Sequence, residues 1–272
     1  MSPQKLQGPR RGHAQPYSQR LDHAIMEKHI TIFTSTRNSE PFVIQSLDSA
    51  RIQNYSNYDH IFIDAQSTDR TYEIACKYRD NYPNLRVFRN KKRKWQAENV
   101  MLGNKMAKKG SILITLDADD WFKHENVLAT VNEAYDDETW MTYGSYENHP
   151  HRDISFIYKE YPLPIRRHSL FRQYDWLASH LRTWRRELFL KIKKEDLKDE
   201  DGKYFDQAQD LSFMFPMLEM CGEKHTKRIF EVLYVYNTTN PENSDKHFHP
   251  PMTYLENYIR HMKKYNPIKS LS

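Results

Sequence analysis

The chain has 272 residues with 41 Lys and Arg against 36 Asp and Glu, a net charge of +5, and 38 % hydrophobic residues. That length suits one large domain with appendages, and so mild a positive excess permits an anionic ligand without demanding nucleic acid. The only cysteines, Cys76 and Cys221, cannot build a disulfide framework, and with no CxxC pair they do not suggest zinc, so both are expected in the core of a protein from a reducing compartment.

No apolar stretch approaches the roughly 20 residues of a membrane span, and the N-terminus lacks the apolar region of a signal peptide. The expectation is a soluble, cytoplasmic protein. Residues 1–28 are polar, basic and rich in Gln, Pro and Arg. They cannot bury a core and are expected to be a disordered tail.

From His29 onward strands alternate with helices. His29–Thr34 reads as a strand. Ser39 can cap a helix bearing Val43, Ile44, Leu47 and Ala50 on one side. Tyr58–Ile63 is a second strand, and Thr68 or Asp69 opens a helix carrying Tyr72, Ala75 and Cys76. Leu85–Phe88 is a short third strand. A helix from about Gln96 to Lys109 stops at Gly110, and the strand Ser111–Leu116 follows. Val127, Leu128, Val131, Ala134 and Tyr135 fall at helical spacing, and Trp140–Tyr143 is another strand. Such alternation predicts an α/β fold, a mostly parallel sheet with helices on both faces. Ligands bind such sheets at the carboxyl ends of the strands.

Three polar clusters fall at those ends: Ser35-Thr36-Arg37-Asn38, Asp64-Ala65-Gln66-Ser67-Thr68-Asp69 and Asp117-Ala118-Asp119-Asp120. They should converge on one rim. There is no GxGxxG and no GxxxxGK[ST], so phosphates would need another counterion. A hard divalent cation held by one or two carboxylates, with substrate phosphates completing its shell, would serve. Asp117 and Asp119, two apart at a strand end, suit that role. The plainer possibility is a solvated loop with acids at the next helix N-terminus.

Asp64-Ala65-Gln66-Ser67-Thr68-Asp69-Arg70-Thr71 resembles the DDGSTDxT stretch of family 2 glycosyltransferases. Its spacing to Asp117-Ala118-Asp119-Asp120 fits, as does the leading strand ending in Thr34-Ser35-Thr36-Arg37-Asn38. Asn99, Gly103 and Ala107 to Gly110 look like that family's "RN.G...A.G" helix. The match covers roughly residues 29–145, the nucleotide-binding half of a single domain over 29–272, with 146–272 left for acceptor and catalysis. The resemblance implies a GT-A fold, a nucleotide-sugar donor and a divalent cation, Mn²⁺ or Mg²⁺.

By position, Asp64 would face the base, usually uracil, which favours a UDP-sugar. Asp117 would lie near the ribose and Asp119 would hold the metal. Thr34, Thr36, Arg37, Asn38, Asn99 and Ala118 complete the implied donor set. Ala65 and Gln66 depart from the family's Asp and Gly and loosen the assignment of the base. Arg93 and Lys94, in the run Lys91-Lys92-Arg93-Lys94-Trp95, either contact the diphosphate or form a solvated face.

Residues 144–172 show no clear periodicity and read as a long loop on the acceptor side. His180 to Phe189 resembles the segment after which the family places its catalytic acid, commonly in an "ED" pair. Gln209-Asp210 stands at the matching place, opening a helix in which Pro216 could introduce a kink. An inverting transfer needs one carboxylate to take the acceptor proton. Asp210 is the candidate base, Asp206 its competitor, and Glu219 reads as structural.

Arg228–Asn237 alternates like a strand, and Met252–Lys264 looks like a closing helix. In GT-A enzymes a C-terminal histidine sometimes completes the metal shell, and His247 and His249 are the candidates. They are equally suited to solvent or a phosphate contact. Trp95, Trp176 and Trp184 could stack on a sugar, although core packing is the commoner fate. The sugar stays open, and the acceptor could be a glycan, a protein, a lipid or a small molecule. Two other classes compete: a nucleotidyltransferase, and a non-catalytic binder of nucleotide, glycan or nucleic acid.

Overall fold

The computed structural model describes residues 27–155, 159–241 and 250–272. In chain order the strands and helices are β1 (Ile30–Thr36), α1 (Val43–Arg51), β2 (Tyr58–Asp64), α2 (Thr71–Tyr78), β3 (Leu85–Arg89), α3 (Gln96–Met106), β4 (Ile112–Thr115) and β5 (Trp121–Phe122). They continue with α4 (Val127–Ala134), β6 (Met141–Gly144), β7 (Tyr146–His149), α5 (Leu163–Arg167), β8 (Ser179–Arg185) and α6 (Arg186–Phe189). The last are α7 (Gln209–Cys221), β9 (Thr226–Arg228), β10 (Tyr234–Asn237) and α8 (Pro250–His261).

A seven-stranded sheet has the order β3-β2-β1-β4-β8-β6-β9. Only β8 runs against the others. Period-two alternation sends successive side chains of each strand to opposite faces. Ile30, Ile32, Phe62, Ile112 and Ile114 pack with Val43 and Leu47 of α1, Ala75 of α2 and Val127 and Val131 of α4. Phe33, Ile61, Ile63, Leu113 and Trp184 pack with Val100 of α3 and Met214 and Met217 of α7. Strands buried on both faces explain the nearly continuous apolar runs. One sheet therefore spans both halves of the domain. A second, three-stranded sheet has the order β5-β10-β7.

The structure adjusts several boundaries. The third helix ends at Met106, and Gly110 takes a left-handed φ of +80° that favours glycine. Ser39 accepts backbone N–H bonds from Phe42 and Val43 through its carbonyl and makes no side-chain cap. At α2 it is the Asp69 carboxylate that accepts the Thr71 N–H, at 3.0 Å.

The expected strand 228–237 is two strands in different sheets. The chain crosses between the sheets at an exposed Phe230; β9 alternates in burial, whereas β10 buries Tyr234, Val235 and Asn237. The expected loop 144–172 contains β7 and α5. Pro216 stays inside α7. Cys221 is buried as expected, whereas Cys76 is only half-buried. At the N-terminal edge, Lys28 donates its N–H to Asn132 Oδ1 (3.1 Å) and the Glu27 carboxylate accepts the Asn57 N–H (3.1 Å). Order therefore begins before His29. The rest of the expected tail, residues 1–26, lies outside the described residues. No described helix is long and apolar enough to cross a membrane.

Candidate active site

Parallel pairing brings the carboxyl ends of β1, β2 and β4 together. Thr36 lies opposite Asp64, and Phe33 opposite Thr115. Beyond these ends is a cleft of about 340 Å³, walled by Thr36, Arg37, Asn38, Ala65, Asp117, Ala118 and Asp119. Arg93, Lys94, Trp95 and Gln96 enter from the start of α3, and Asp206, Gln209 and Asn240 from the second half of the chain. The three polar clusters thus do converge, as parallel topology requires.

The rim is braced by side chains. Asn38 has a left-handed φ of +58°. Its N–H donates to Ser67 Oγ (2.9 Å), and its Oδ1 accepts from Thr68 N (2.8 Å). Gln66, where the family has glycine, takes a φ of +69°. It is held there by its Nε2 donating to the Asn90 carbonyl (2.6 Å) and by Arg37 Nε donating to the Gln66 carbonyl (3.3 Å). Side-chain hydrogen bonds compensate for the left-handed cost that glycine avoids.

Three expected donor residues stand behind the wall. Thr34 Oγ1 donates to the Leu116 carbonyl (2.7 Å) and meets His60 Nε2 (2.9 Å). Asn99 is buried, donating to Ser35 Oγ (2.9 Å) and accepting from Asn90 Nδ2 (2.8 Å). Asp64 is fully buried; it pairs with Arg89 Nε (3.1 Å) and accepts the Ser67 N–H (3.1 Å). These residues fix the floor and the loops, and the Asp64 carboxylate is already engaged within the protein.

The acids of the β4 tip differ in role. Asp120 is buried, accepting from Tyr234 Oη (2.9 Å) and Asn237 N (2.7 Å). It ties the loop to β10. Asp119 lines the cleft, and its Oδ2 accepts from Asn240 Nδ2 (2.7 Å). Burial raises its carboxyl above the usual range, against the Asn240 hydrogen bond. Asp117 is raised to about 6, chiefly by burial and further by Asp119 and Asp210, while Arg182 opposes the shift. Crowded, desolvated carboxylates of this kind call for a cation.

Among the described residues no three His, Cys, Asp or Glu side chains gather as a metal cage. A lone open carboxylate with a neighbour suits a hard ion that arrives with phosphate oxygens. His247 and His249 lie outside the described residues. Basic groups face the acids from the α3 side. Arg93 stacks on Trp95, 4.1 Å from the ring centroid, and Lys94 pairs with Glu98. Trp95 is thus engaged by a cation at the cleft. Trp184 is core, donating to Asn104 Oδ1 (2.9 Å), and Trp176 packs edge-on against Phe215 away from this cleft.

Asp210 sits in the first turn of α7, one residue after Gln209 of the cleft wall. Ala208 before it has φ +49°. Asp206 is on the wall itself. Glu219 is buried against Arg172 (2.6 Å), a structural pair as expected. Sequence reasoning missed Asn240, Gln209 and the residues around Asp210, namely Arg182, His180 and Tyr234. No signal in the sequence singled them out, because β8 is polar along most of its length.

The chain belongs to glycosyl transferase family 2, whose profile matches residues 31–192. It is 27 % identical over 117 residues to an uncharacterized glycosyltransferase of Haemophilus influenzae, covering 43 % of this chain and 46 % of that one. The chain spans about half the length of the curated relatives it matches. Among solved structures it resembles residues 1–349 of Staphylococcus aureus TarS in complex with UDP-GlcNAc. The TM-score is 0.65 at 18 % identity, covering 84 % of this chain and 64 % of that one. It also resembles the mannosyltransferase PcManGT of Pyrobaculum calidifontis in complex with GDP-Man and Mn²⁺. There the TM-score is 0.56 at 17 % identity, covering 79 % and 59 %. The GT-A architecture is thereby shown.

Proposed function

We propose that the protein transfers a sugar from a nucleotide sugar, a UDP-sugar by preference, to an acceptor hydroxyl with inversion and with a divalent cation. The observation that carries this reading is the meeting, in one cleft, of the half-buried acids Asp117 and Asp119 with the cations Arg37 and Arg93. A diphosphate would bridge the two sides. When bound, the cation would act as a Lewis acid on the departing diphosphate, and Asp119, assisted by Asp117, would hold it. Arg37 and Arg93 add preorganised positive charge where the leaving group gains negative charge.

Thr36, Asn38 and Ala118 shape the nucleoside side, with Asp64, Thr34 and Asn99 supporting them from beneath. Asp210 would take the proton of the acceptor hydroxyl as it attacks the anomeric carbon, with Asp206 on the acceptor side of the wall. The preference for uracil rests on the family and on the TarS complex with UDP-GlcNAc. A guanine donor has a counterpart in PcManGT with GDP-Man. The acceptor is taken to be a glycan, a protein or a small molecule, and no nucleic-acid partner is proposed.

The test is thermal unfolding against nucleoside diphosphates and nucleotide sugars, with and without Mn²⁺. A ligand that binds only the folded state adds about 2.7 kcal/mol at a hundred times its Kd. A rise with UDP compounds that requires Mn²⁺ is expected, and the largest rise identifies the donor sugar. A rise with GDP alone would move the base. No rise with any nucleotide would remove the proposal in favour of a non-catalytic binder.

A further inference from the structure

We propose that Arg182 is the positioning residue of the reaction, holding the Asp210 carboxylate in its working orientation and linking it to the acidic loop at the tip of β4. This rests on Asp210 being the base. β8 runs antiparallel to β4, with Thr183 opposite Ile114, so residues 180–182 reach the rim where the acids stand. His180 and Arg182 are two apart on this strand and share a face.

Arg182 is buried. Its Nη1 lies 2.8 Å from Asp210 Oδ2, and Asp210 Oδ1 accepts the Leu211 N–H at 3.0 Å. Both oxygens are thereby fixed, and the plane of the carboxylate with them. Arg182 Nη2 donates to His180 Nε2 at 2.6 Å. The His180 ring stacks on Tyr234, with centroids 4.4 Å apart and planes 16° apart. Tyr234 Oη in turn donates to Asp120 (2.9 Å) and accepts the Asp117 N–H (3.1 Å). One continuous run of contacts therefore joins the base to the backbone of the acidic loop.

A guanidinium keeps its proton, so Arg182 cannot replace Asp210 as base; its planar fork serves to orient. A packing role accounts for it poorly, because a partly buried ion pair contributes little net stability over an apolar replacement. The pair lies beside Gln209 of the cleft wall, where a misplacement of about 1 Å costs on the order of 10²-fold in rate.

The experiment follows hydrolysis of the nucleotide sugar that Mn²⁺-dependent thermal shift selects, with water as acceptor. UDP binding with Mn²⁺ is measured alongside by calorimetry. Arg182→Met should lower kcat about 10²-fold while donor KM and UDP binding stay as in the unsubstituted chain. Added guanidinium ion should restore part of the rate to Arg182→Ala and none to Asp210→Asn. The double variant Arg182→Met/Asp210→Asn should be no slower than Asp210→Asn alone, as expected of residues acting as one unit.

If Arg182→Met does not fold, Arg182→Lys decides. A lowered kcat at an unchanged melting temperature supports the proposal, and an unchanged kcat overturns it. An unimpaired Arg182→Met beside an inactive Asp210→Asn overturns the positioning role and leaves the base in place. Loss of UDP binding in Arg182→Met also overturns it, assigning Arg182 to the donor side. A fully active Asp210→Asn, or no hydrolysis by the unsubstituted chain, removes the underlying reading and this one with it.

Discussion

At the scale of single residues, the acids at the β4 tip carry the clearest division of labour. Asp120 spends both oxygens inside the protein, whereas Asp119 lines the cleft and accepts from Asn240 there. A carboxylate desolvated to this degree, and so raised, is expensive to keep charged without a cation. Asp119→Ala is therefore expected to abolish the Mn²⁺-dependent part of the thermal shift given by UDP while leaving the unliganded melting temperature equal or higher. An undiminished Mn²⁺-dependent shift would take Asp119 out of the site. The same scale explains why Gln66 can stand where the family has glycine. Its side chain bonds to the Asn90 carbonyl, so a left-handed loop is retained without a glycine to permit it.

At the scale of elements, the approach of α3 to β1 depends on a small residue. Gly103 faces the ring of Phe33, and a Cβ there would overlap Phe33 Cδ2 and Cε2. α3 carries Asn99 to Ser35 at the end of β1 and begins with Gln96 at the cleft. Gly103→Ala would gain helix propensity yet overpack the contact. The net loss is expected to be about 1–3 kcal/mol, read as a lower midpoint in urea unfolding with an unchanged slope. A midpoint at or above that of the unsubstituted chain would show that Phe33 can turn aside. α7 is anchored in a different way. Ala208, with φ +49°, turns the chain into the helix, so that Asp210 meets Arg182.

At the scale of the whole molecule, His60 and Asp117 make opposing contributions to stability as pH changes. His60, in β2, is fully buried, and burial holds it down at about 3 against an ordinary 6.5. Its Nδ1 has no hydrogen-bond partner among the described residues, and burial keeps the folded form neutral. Its stabilising effect is complete above 6.5 and is lost as pH falls from there towards 3, because only the unfolded chain takes up the proton. Asp117 has the opposite sign. Raised to about 6 from an ordinary 3.8, it contributes fully below 3.8 and loses that contribution as pH rises through 6. Between pH 3.8 and 6 the two effects oppose each other, so without ligand the melting temperature is expected to stay nearly level there and to fall below pH 3.8, where His60 acts alone. His60→Gln should leave the Asp117 effect uncompensated, so that the melting temperature falls from pH 3.8 to 6. A steady rise from pH 5 to 8 without ligand would contradict this account.

Much of this molecule was legible in the sequence. The alternating apolar runs state the doubly covered parallel sheet, because a strand buried on both faces can hold little else. The acids after Leu116 and the polar ends of β1 and β2 locate the rim, because parallel strands all end on one side. Tertiary structure decided the rest. It set Asp64, Thr34 and Asn99 behind the wall: Arg89 and Ser67 engage the Asp64 carboxylate, Thr34 lies two residues back from the end of β1, and Asn99 reaches Ser35 from α3. It split 228–237 between two sheets, since alternation carries no information about which sheet a strand joins. It brought Arg182 and Asn240 to Asp210 and Asp119, 28 and 121 positions apart in the chain. Local periodicity specifies elements, whereas contacts across such separations exist only once the sheet order has closed the chain on itself.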